Sequence, residues 1–186
     1  MAFNLGKKNK TSEFEAIVLP HLDAAYSLAR WLTRSEHNAE DLVQMAYMRA
    51  FRFFDGFRGG DARVWLLAIV RNTYYTWLRD NRHLHGDVSF DEDLHGQDGD
   101  GGTSPYDVGN NPEDIVAGQD LARVVNQALE SLPQAFREVI VLKEIDDFSY
   151  KEIAEIADIP LGTVMSRLAR GRKLLGDYLR KHAIGE

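Results

Sequence analysis

The chain has 186 residues, 44% of them apolar, a formal net charge of −7 and no cysteine. That length holds one or two small domains with buried cores, and no apolar run approaches the roughly 20 residues of a membrane helix. Without cysteine, disulfides and thiolate metal sites are excluded; a reducing cytoplasm is the expected compartment, and M-A-F-N-L-G-K-K-N-K, lacking an apolar core, is not read as a signal peptide.

Residues 1–11 are expected as a flexible tail. The N-terminal half then reads as three helices. Ser12 with Glu15 forms a capping box for the first, and Phe14, Val18, Leu22, Ala25, Ala29 and Leu32 recur at helical spacing. Asn38 is expected to cap a second helix, A-E-D-L-V-Q-M-A-Y-M-R-A-F-R-F-F, which stops near Asp55-Gly56. On it, Asp41, Gln44 and Arg49 stand beside Val43, Met45 and Met48, a mixed patch that suits a helix-on-helix interface with a polar rim. After F-R-G-G-D a third helix runs to about Arg82. Its inner face holds Leu67, Val70, Tyr74, Trp77 and Leu78; its outer face holds Arg71, Asn72, Tyr75, Arg79 and Arg82. Basic residues interleaved with aromatics and an amide suit unpaired nucleic acid, whose bases stack on rings while phosphates meet arginines. The alternative is a core helix with a solvated polar side, and core is the expected place of Trp65 and Trp77.

Residues 83–118 hold nine acids and no Lys or Arg; without them the chain carries a net +2. The stretch 83–111 is rich in Gly and Asp and too poor in apolar residues to order itself. As a free coil it spans roughly 30 Å r.m.s. and reaches about 100 Å stretched. It ends at Asn111-Pro112-Glu113-Asp114, an N-cap followed by a proline and two acids that open a helix.

Residues 149–175 read as two helices joined by a tight turn. Ser149 and Glu152 form a capping box, Asp158 and Pro160 break the first helix, and Thr163 opens the second. Val164, Leu168, Gly171 and Leu175 fall on one side of it; Ser166, Arg167, Arg170 and Lys173 point the other way. This is a helix-turn-helix whose basic face can donate to base edges and phosphates. Two amphipathic helices at a sharp turn also occur in plain helical bundles.

Over residues 12–181 the pattern resembles a bacterial extracytoplasmic-function (group 4) sigma factor of the sigma-70 family. N-A-E-D-L-V-Q with A-F-R-F-F resembles the part of sigma domain 2 that grips core RNA polymerase. F-R-G-G-D-A-R-V-W-L-L-A-I-V-R-N-T-Y-Y-T-W-L-R-D-N-R resembles the part that melts and reads the −10 element. L-P-Q-A-F-R-E-V through A-R-G-R resembles sigma domain 4, which reads the −35 element. The resemblance implies an all-α chain: domain 2 over 12–82, an acidic linker over 83–111 and domain 4 over 112–186. It implies an initiation factor without catalysis, cofactor or metal.

Its partners would be core polymerase (beta-prime clamp helices and beta flap), promoter DNA and an anti-sigma factor. Carried over by position, Asp41, Val43, Gln44, Met45, Met48 and Arg49 would bind polymerase. Phe57, Arg58, Asp61, Arg71, Asn72, Tyr75 and Arg79 would serve the −10 element. Thr163, Ser166, Arg167, Arg170, Arg172 and Lys173 would serve the −35 element. The chain departs from the common pattern at Met45, Met165 and Ala169 and in the length and acidity of its linker. Linkers in similar sigma factors are thought to follow the RNA path through polymerase. A stand-alone helix-turn-helix regulator would explain only the C-terminal part and would bind as a dimer. A metal enzyme would need ligands, and the six histidines (21, 37, 83, 85, 95, 182) form no His-x-x-x-His pair.

Overall fold

A computed structural model describes residues 3–80 and 112–183, with side chains placed for 10–80 and 122–182. The acidic stretch 83–111, with Arg82 and the histidines at 83, 85 and 95, lies outside the described residues. The described chain is all-α, with four helices on either side of that stretch.

Helix α1 spans Phe3–Val18 and α2 spans Leu22–Thr33. Between them Leu19–His21 forms a single 3₁₀ turn, where Pro20 lacks the amide a continuous helix would use. One apolar periodicity is therefore divided between two helices. Ser12 sits inside α1, so the capping box expected at Ser12 and Glu15 is not a helix start; α1 already begins within the segment expected as a tail. Helix α2 ends at Arg34, whose φ of 58° lets its amide close on the Arg30 carbonyl at 2.9 Å.

Helix α3, Glu36–Phe53, is capped by Ser35 rather than Asn38. Ser35 is extended, and its Oγ accepts from the Asn38 amide at 3.4 Å. Asn38 is the third residue of the helix, and its backbone serves the cap. Helix α4, Ala62–Asp80, follows the Gly59-Gly60 pair, whose φ values of 87° and 102° only glycine adopts without strain. Helices α2, α3 and α4 pack on one another. Phe14 of α1 closes one side, edge-on to Tyr47, Phe51 and Phe54 at 4.8, 5.1 and 5.2 Å. Truncating so buried a ring to Ala costs about 3–5 kcal/mol.

On the C-terminal side, α5 spans Pro112–Ser131 and α6 spans Gln134–Ile140. Helix α6 runs into a π-helical turn, Val141–Ile145, marked by the Asp146 amide reaching the Val141 carbonyl at 3.1 Å. Helix α7, Tyr150–Ala157, and α8, Leu161–Ala183, complete this side. Gly171 of α8 lies against α6: a Cβ there would meet Ile140 Cγ1 at 2.8 Å, so its lack of a side chain sets the approach.

A single apolar cluster runs through both sides. It joins Leu67 and Val70 of α4 to Leu142, Phe148, Ile153 and Leu168. Trp65 and Trp77 pack against it, half-buried, as expected. Among the described residues no helix is long and apolar enough to cross a membrane.

Candidate nucleic-acid and partner surfaces

The helix-turn-helix forms as its sequence dictates. Ser149 Oγ accepts from the Glu152 amide at 3.3 Å, and Glu152 Oε2 accepts from the Ser149 amide at 2.6 Å. Asp158 turns the chain at φ 51°. Helix α8 begins at Leu161, two residues before Thr163, and the Thr163 amide is bound to the Pro160 carbonyl at 2.9 Å.

Val164, Leu168 and Gly171 are buried and fix the rotation of α8. Met165, Ser166, Ala169, Arg170, Arg172 and Lys173 are exposed; Thr163 and Arg167 are half-buried. Arg172 is not free. Its Nε and one terminal nitrogen donate to Glu144 Oε1 at 2.9 and 2.7 Å, and these hydrogen bonds raise its pKa. Ser166 Oγ donates to the Thr163 carbonyl at 3.1 Å. Among the described residues Arg170 and Lys173 have no ion pair, so they remain available to an anion or a base edge.

The α4 face divides. Arg58, Asn72 and Arg79 are exposed. Asp61 caps α4, its Oδ1 accepting from the Arg63 and Val64 amides at 2.8 and 3.1 Å. Phe57 is half-buried between Phe54 and Trp65, with ring centroids 6.1 and 4.9 Å away.

Arg71 and Tyr75, expected on the open outer face, lie instead beneath α6. Arg71 Nε donates to Glu138 Oε1 at 2.5 Å, its guanidinium rests 4.6 Å from the Tyr75 ring centre, and Tyr75 Oη donates to Glu138 Oε2 at 3.4 Å. The Glu138 side chain has no exposed surface. Burial pushes its carboxyl pKa up, while Arg71 pulls it back. Burial and then Glu138 push the Tyr75 phenol up.

Three more contacts belong to this seam. Gln134 Nε2 donates to Tyr75 Oη at 3.4 Å. Arg137 is buried and donates to the carbonyls of Leu129, Glu130, Leu132 and, across the seam, Trp31, at 3.1, 3.3, 2.7 and 3.2 Å. Burial, with Arg34 nearby, lowers its pKa to about 10. Arg63 donates to the Asp146 carbonyl at 3.0 Å and covers the Phe148 ring at 4.1 Å. Asp146 Oδ1 lies 3.6 Å from Arg63, while its Oδ2 is buried without a hydrogen-bond partner. Burial pushes this carboxyl to about 6 against the pull of Arg63.

Gln134, Arg137, Glu138 and Asp146 are site residues that the sequence reading missed. The available signal was Arg137-Glu138 inside the apolar run A-F-R-E-V-I-V-L, where charges that break no helix need partners.

A third surface lies on α3. Leu42, Ala46 and Ala50 are buried, which turns Asp41, Gln44, Met45 and Met48 outward. Val43 and Arg49 are half-buried at its edges. Asp41 Oδ2 is 3.6 Å from His37 Nε2. Met48 is 69% exposed and Phe53 60%, an unusual display of large apolar side chains for a helix with a well-packed inner face. Beside them Lys10, Tyr47, Met48, Phe51 and Arg52 line an open groove of about 530 Å³.

The sigma-70 region 2 family matches residues 17–84 and the sigma-70 region 4 family matches residues 122–175. The chain is 35% identical over 179 residues to the ECF RNA polymerase sigma factor SigW of Bacillus subtilis, covering 94% of this chain and 92% of that one. It is 36% identical over 143 residues to the ECF RNA polymerase sigma-E factor of Escherichia coli, covering 75% and 73%. Against the ECF RNA polymerase sigma factor SigE of Mycolicibacterium smegmatis it is 34% identical over 182 residues, 96% of this chain and 66% of that one.

Among solved structures it is similar to the sigma factor RpoE in complex with the anti-sigma factor NepR from Bartonella quintana (TM-score 0.66, 28% identity, 94% of this chain and 99% of that one). It is also similar to CnrH in complex with the cytosolic domain of CnrY (TM-score 0.61, 25% identity, 92% and 90%).

Proposed function

We infer how this protein works from the premise that the chain belongs to the extracytoplasmic-function group of the sigma-70 family. It is an RNA polymerase sigma factor: it binds core polymerase, recognises −10 and −35 promoter elements and serves transcription initiation. Polymerase performs the phosphoryl transfer; this chain supplies recognition and strand opening.

The residue assignments are our proposal. Residues 12–82 act as the domain that binds core and reads −10, 112–186 as the domain that reads −35, and 83–111 as the linker between them. Helix α8 lies in the major groove at −35, with Ser166 and Arg170 towards base edges and Lys173 and Arg167 towards phosphates. The Arg172 pair with Glu144 would have to part or shift for Arg172 to join them. Asn72, which both donates and accepts, holds a base extruded from the −10 strand, beside Phe57, Arg58 and Arg79. The α3 face of Asp41, Gln44, Met45 and Met48 docks on the polymerase clamp helices. An anti-sigma factor as regulatory partner, a cytoplasmic location and a stress- or envelope-type regulon complete the reading.

The observation that carries it is the free outward face of α8, held by Val164, Leu168 and Gly171 so that Arg170 and Lys173 meet solvent together. The test is in vitro transcription with core polymerase on a genomic library. Start sites sharing two spaced boxes are expected. Asn72→Ala should then remove permanganate reactivity of melted thymines while leaving core binding intact. Transcription without shared upstream boxes would overturn the reading.

A further inference from the structure

The sulfur atoms of this chain are distributed unusually. There is no cysteine, and the methionines are Met1, Met45, Met48 and Met165. Methionine ordinarily fills irregular gaps in an apolar core. Here the core is built from Leu, Ile, Val, Ala, Phe and Tyr, and among the described residues no methionine is buried. Met1 lies outside the described residues. The other three are exposed, Met48 by 69%, Met165 by 49% and Met45 by 37%.

Their placement is as selective as their exposure. Met45 and Met48 share the outward face of α3, and Met48 lines the open groove with Lys10, Tyr47, Phe51 and Arg52. Met165 stands near the start of α8, exposed with Ser166 and Ala169. Met45 and Met165 also stand where the chain departs from the common sigma-factor pattern. All the sulfur described therefore lies on the two surfaces read above as binding polymerase and −35 DNA.

A thioether sulfur is a nucleophile toward peroxides. Its lone pair attacks one peroxide oxygen, an S–O bond forms as the O–O bond breaks, and the departing hydroxide takes up the remaining proton. Sulfur is oxidised by two electrons to the sulfoxide, and the peroxide is reduced to water and carried off. The product is a polar side chain with a strong acceptor oxygen. An apolar helix-on-helix contact offers that oxygen no donor, so burying it there is costly.

We propose that Met45, Met48 and Met165 are modification sites through which a peroxide acts on this chain directly, their sulfoxides detaching it from core polymerase and weakening its hold on −35 DNA. The free chain is the vulnerable form, because the partner that uses each side chain also covers it. The fold persists, since no sulfoxide forms in its core. Sulfoxide reductases reverse the step, one enzyme for each epimer.

Since this rests on the reading of α3 and α8 as binding faces, the experiment keeps the two apart. The full chain is treated with hydrogen peroxide, alone and bound to core polymerase, and sulfoxide is located by peptide mass spectrometry. Core affinity after treatment is compared with the same protein's affinity before it. The comparison protein carries Met45→Leu and Met48→Leu, which keep apolar bulk and cannot form a sulfoxide; any change in its starting affinity cancels in the ratio.

Sulfoxide should form first at Met48, with the helical circular dichroism unchanged. Treated wild type should lose at least about tenfold in core affinity, the scale of one buried polar group left unpaired. Sulfoxide reductases should restore it, and the double-leucine variant should show no loss on treatment. Holoenzyme made with the treated double-leucine variant should lose about fivefold on −35 DNA, and adding Met165→Leu should prevent that loss. An unmodified Met48, oxidised wild type that binds core as before, an equal loss in the double-leucine variant, or collapse of the helical signal would each overturn the proposal. A loss on −35 DNA that persists with Met165→Leu would remove Met165 from it. Protection tests the underlying reading: if Met45 and Met48 oxidise as fast on core polymerase as off it, α3 is not the docking face, whatever its sulfoxides do.

Discussion

Arg71 on α4 and Arg170 on α8 each stand beside the apolar stripe of an amphipathic helix, yet they live in different solvents. The Arg71 side chain is 14% exposed and is bonded to a carboxylate with no exposure at all. Arg170 is exposed and has no ion pair among the described residues. A buried pair is held in place by the cost of separating it, because either partner left alone is an unpaired charge out of water. A surface arginine contributes little to the fold and is free to recognise something else. The seam and the groove face therefore use the same chemistry for opposite purposes, and perturbing one should not imitate perturbing the other.

The largest difference should appear in stability. Arg71→Ala leaves Glu138 buried without its cation, and the packed form should lose about 3–5 kcal/mol. Arg170→Ala should stay within roughly 0.5 kcal/mol of the wild type. Urea denaturation of the two variants measures both, and equal losses would erase the distinction.

On promoter DNA the order should reverse. Arg170→Ala should cost about 1–3 kcal/mol on the preferred −35 sequence and relax base choice there. Run-off transcription from a set of −35 variants reads this directly. A variant that ranks every sequence as the wild type does would remove Arg170 from the groove.

Acidity should act on the seam and not on α8. Burial holds the Asp146 carboxyl at about 6, opposed by Arg63, and raises Glu138 against Arg71 and Arg167. When the halves part, these carboxyls regain water and their ordinary pKa values. The closed form thus binds protons more tightly. The penalty of burying an ionised Asp146 is present above about pH 6 and is relieved as pH falls through that value. Between pH 7 and pH 5 the closed-to-open ratio should rise by about tenfold. Energy transfer between dyes on Glu13→Cys and Asp177→Cys, in a chain with no cysteine of its own, measures this across the range, and a seam that loosens on acidification would contradict the assignment.

The smallest expected effect lies on the groove face itself. Met165 is 49% exposed near the start of α8, and Ala169, one turn on, is exposed too. The apolar group offered by the major groove is the thymine methyl. Replacing −35 thymines by uracil should weaken the wild type by about 1 kcal/mol at one or two positions and leave Met165→Ala unaffected. Equal sensitivity of both proteins to uracil would exclude Met165 from this contact.

Much of the groove face was legible in the sequence because its causes are local. The Ser149–Glu152 box, the break at Asp158-Ile159-Pro160 and the stripe of Val164, Leu168 and Gly171 lie within a few turns of one another, and the structure realises each of them. The seam was not legible for the opposite reason. Arg71 and Glu138 are 67 residues apart, and Arg63 and Asp146 are 83 apart. Periodicity divides α4 into two faces but does not say whether the polar one meets water or another helix. It placed Arg71 and Tyr75 on an open surface, where tertiary packing puts them beneath α6. Helix starts failed in a similar way. Ser12 and Asn38 have the right chemistry for caps, but α1 was already under way at Phe3 and Ser35 took the cap of α3.

The sequence by itself determined the helix-turn-helix, the outward direction of Arg170 and the charge of each segment, since backbone preference and apolar spacing act over one or two helical turns; the all-α class of the whole chain was implied by its resemblance to a sigma factor. Only the tertiary structure decided which charged residues are buried, that Glu138 is the partner of Arg71 and Tyr75, and that Asp146 faces Arg63. The physical reason is that a charge can leave water only where an opposite charge or matching hydrogen-bond partners already wait, and that coincidence is fixed by how distant helices meet.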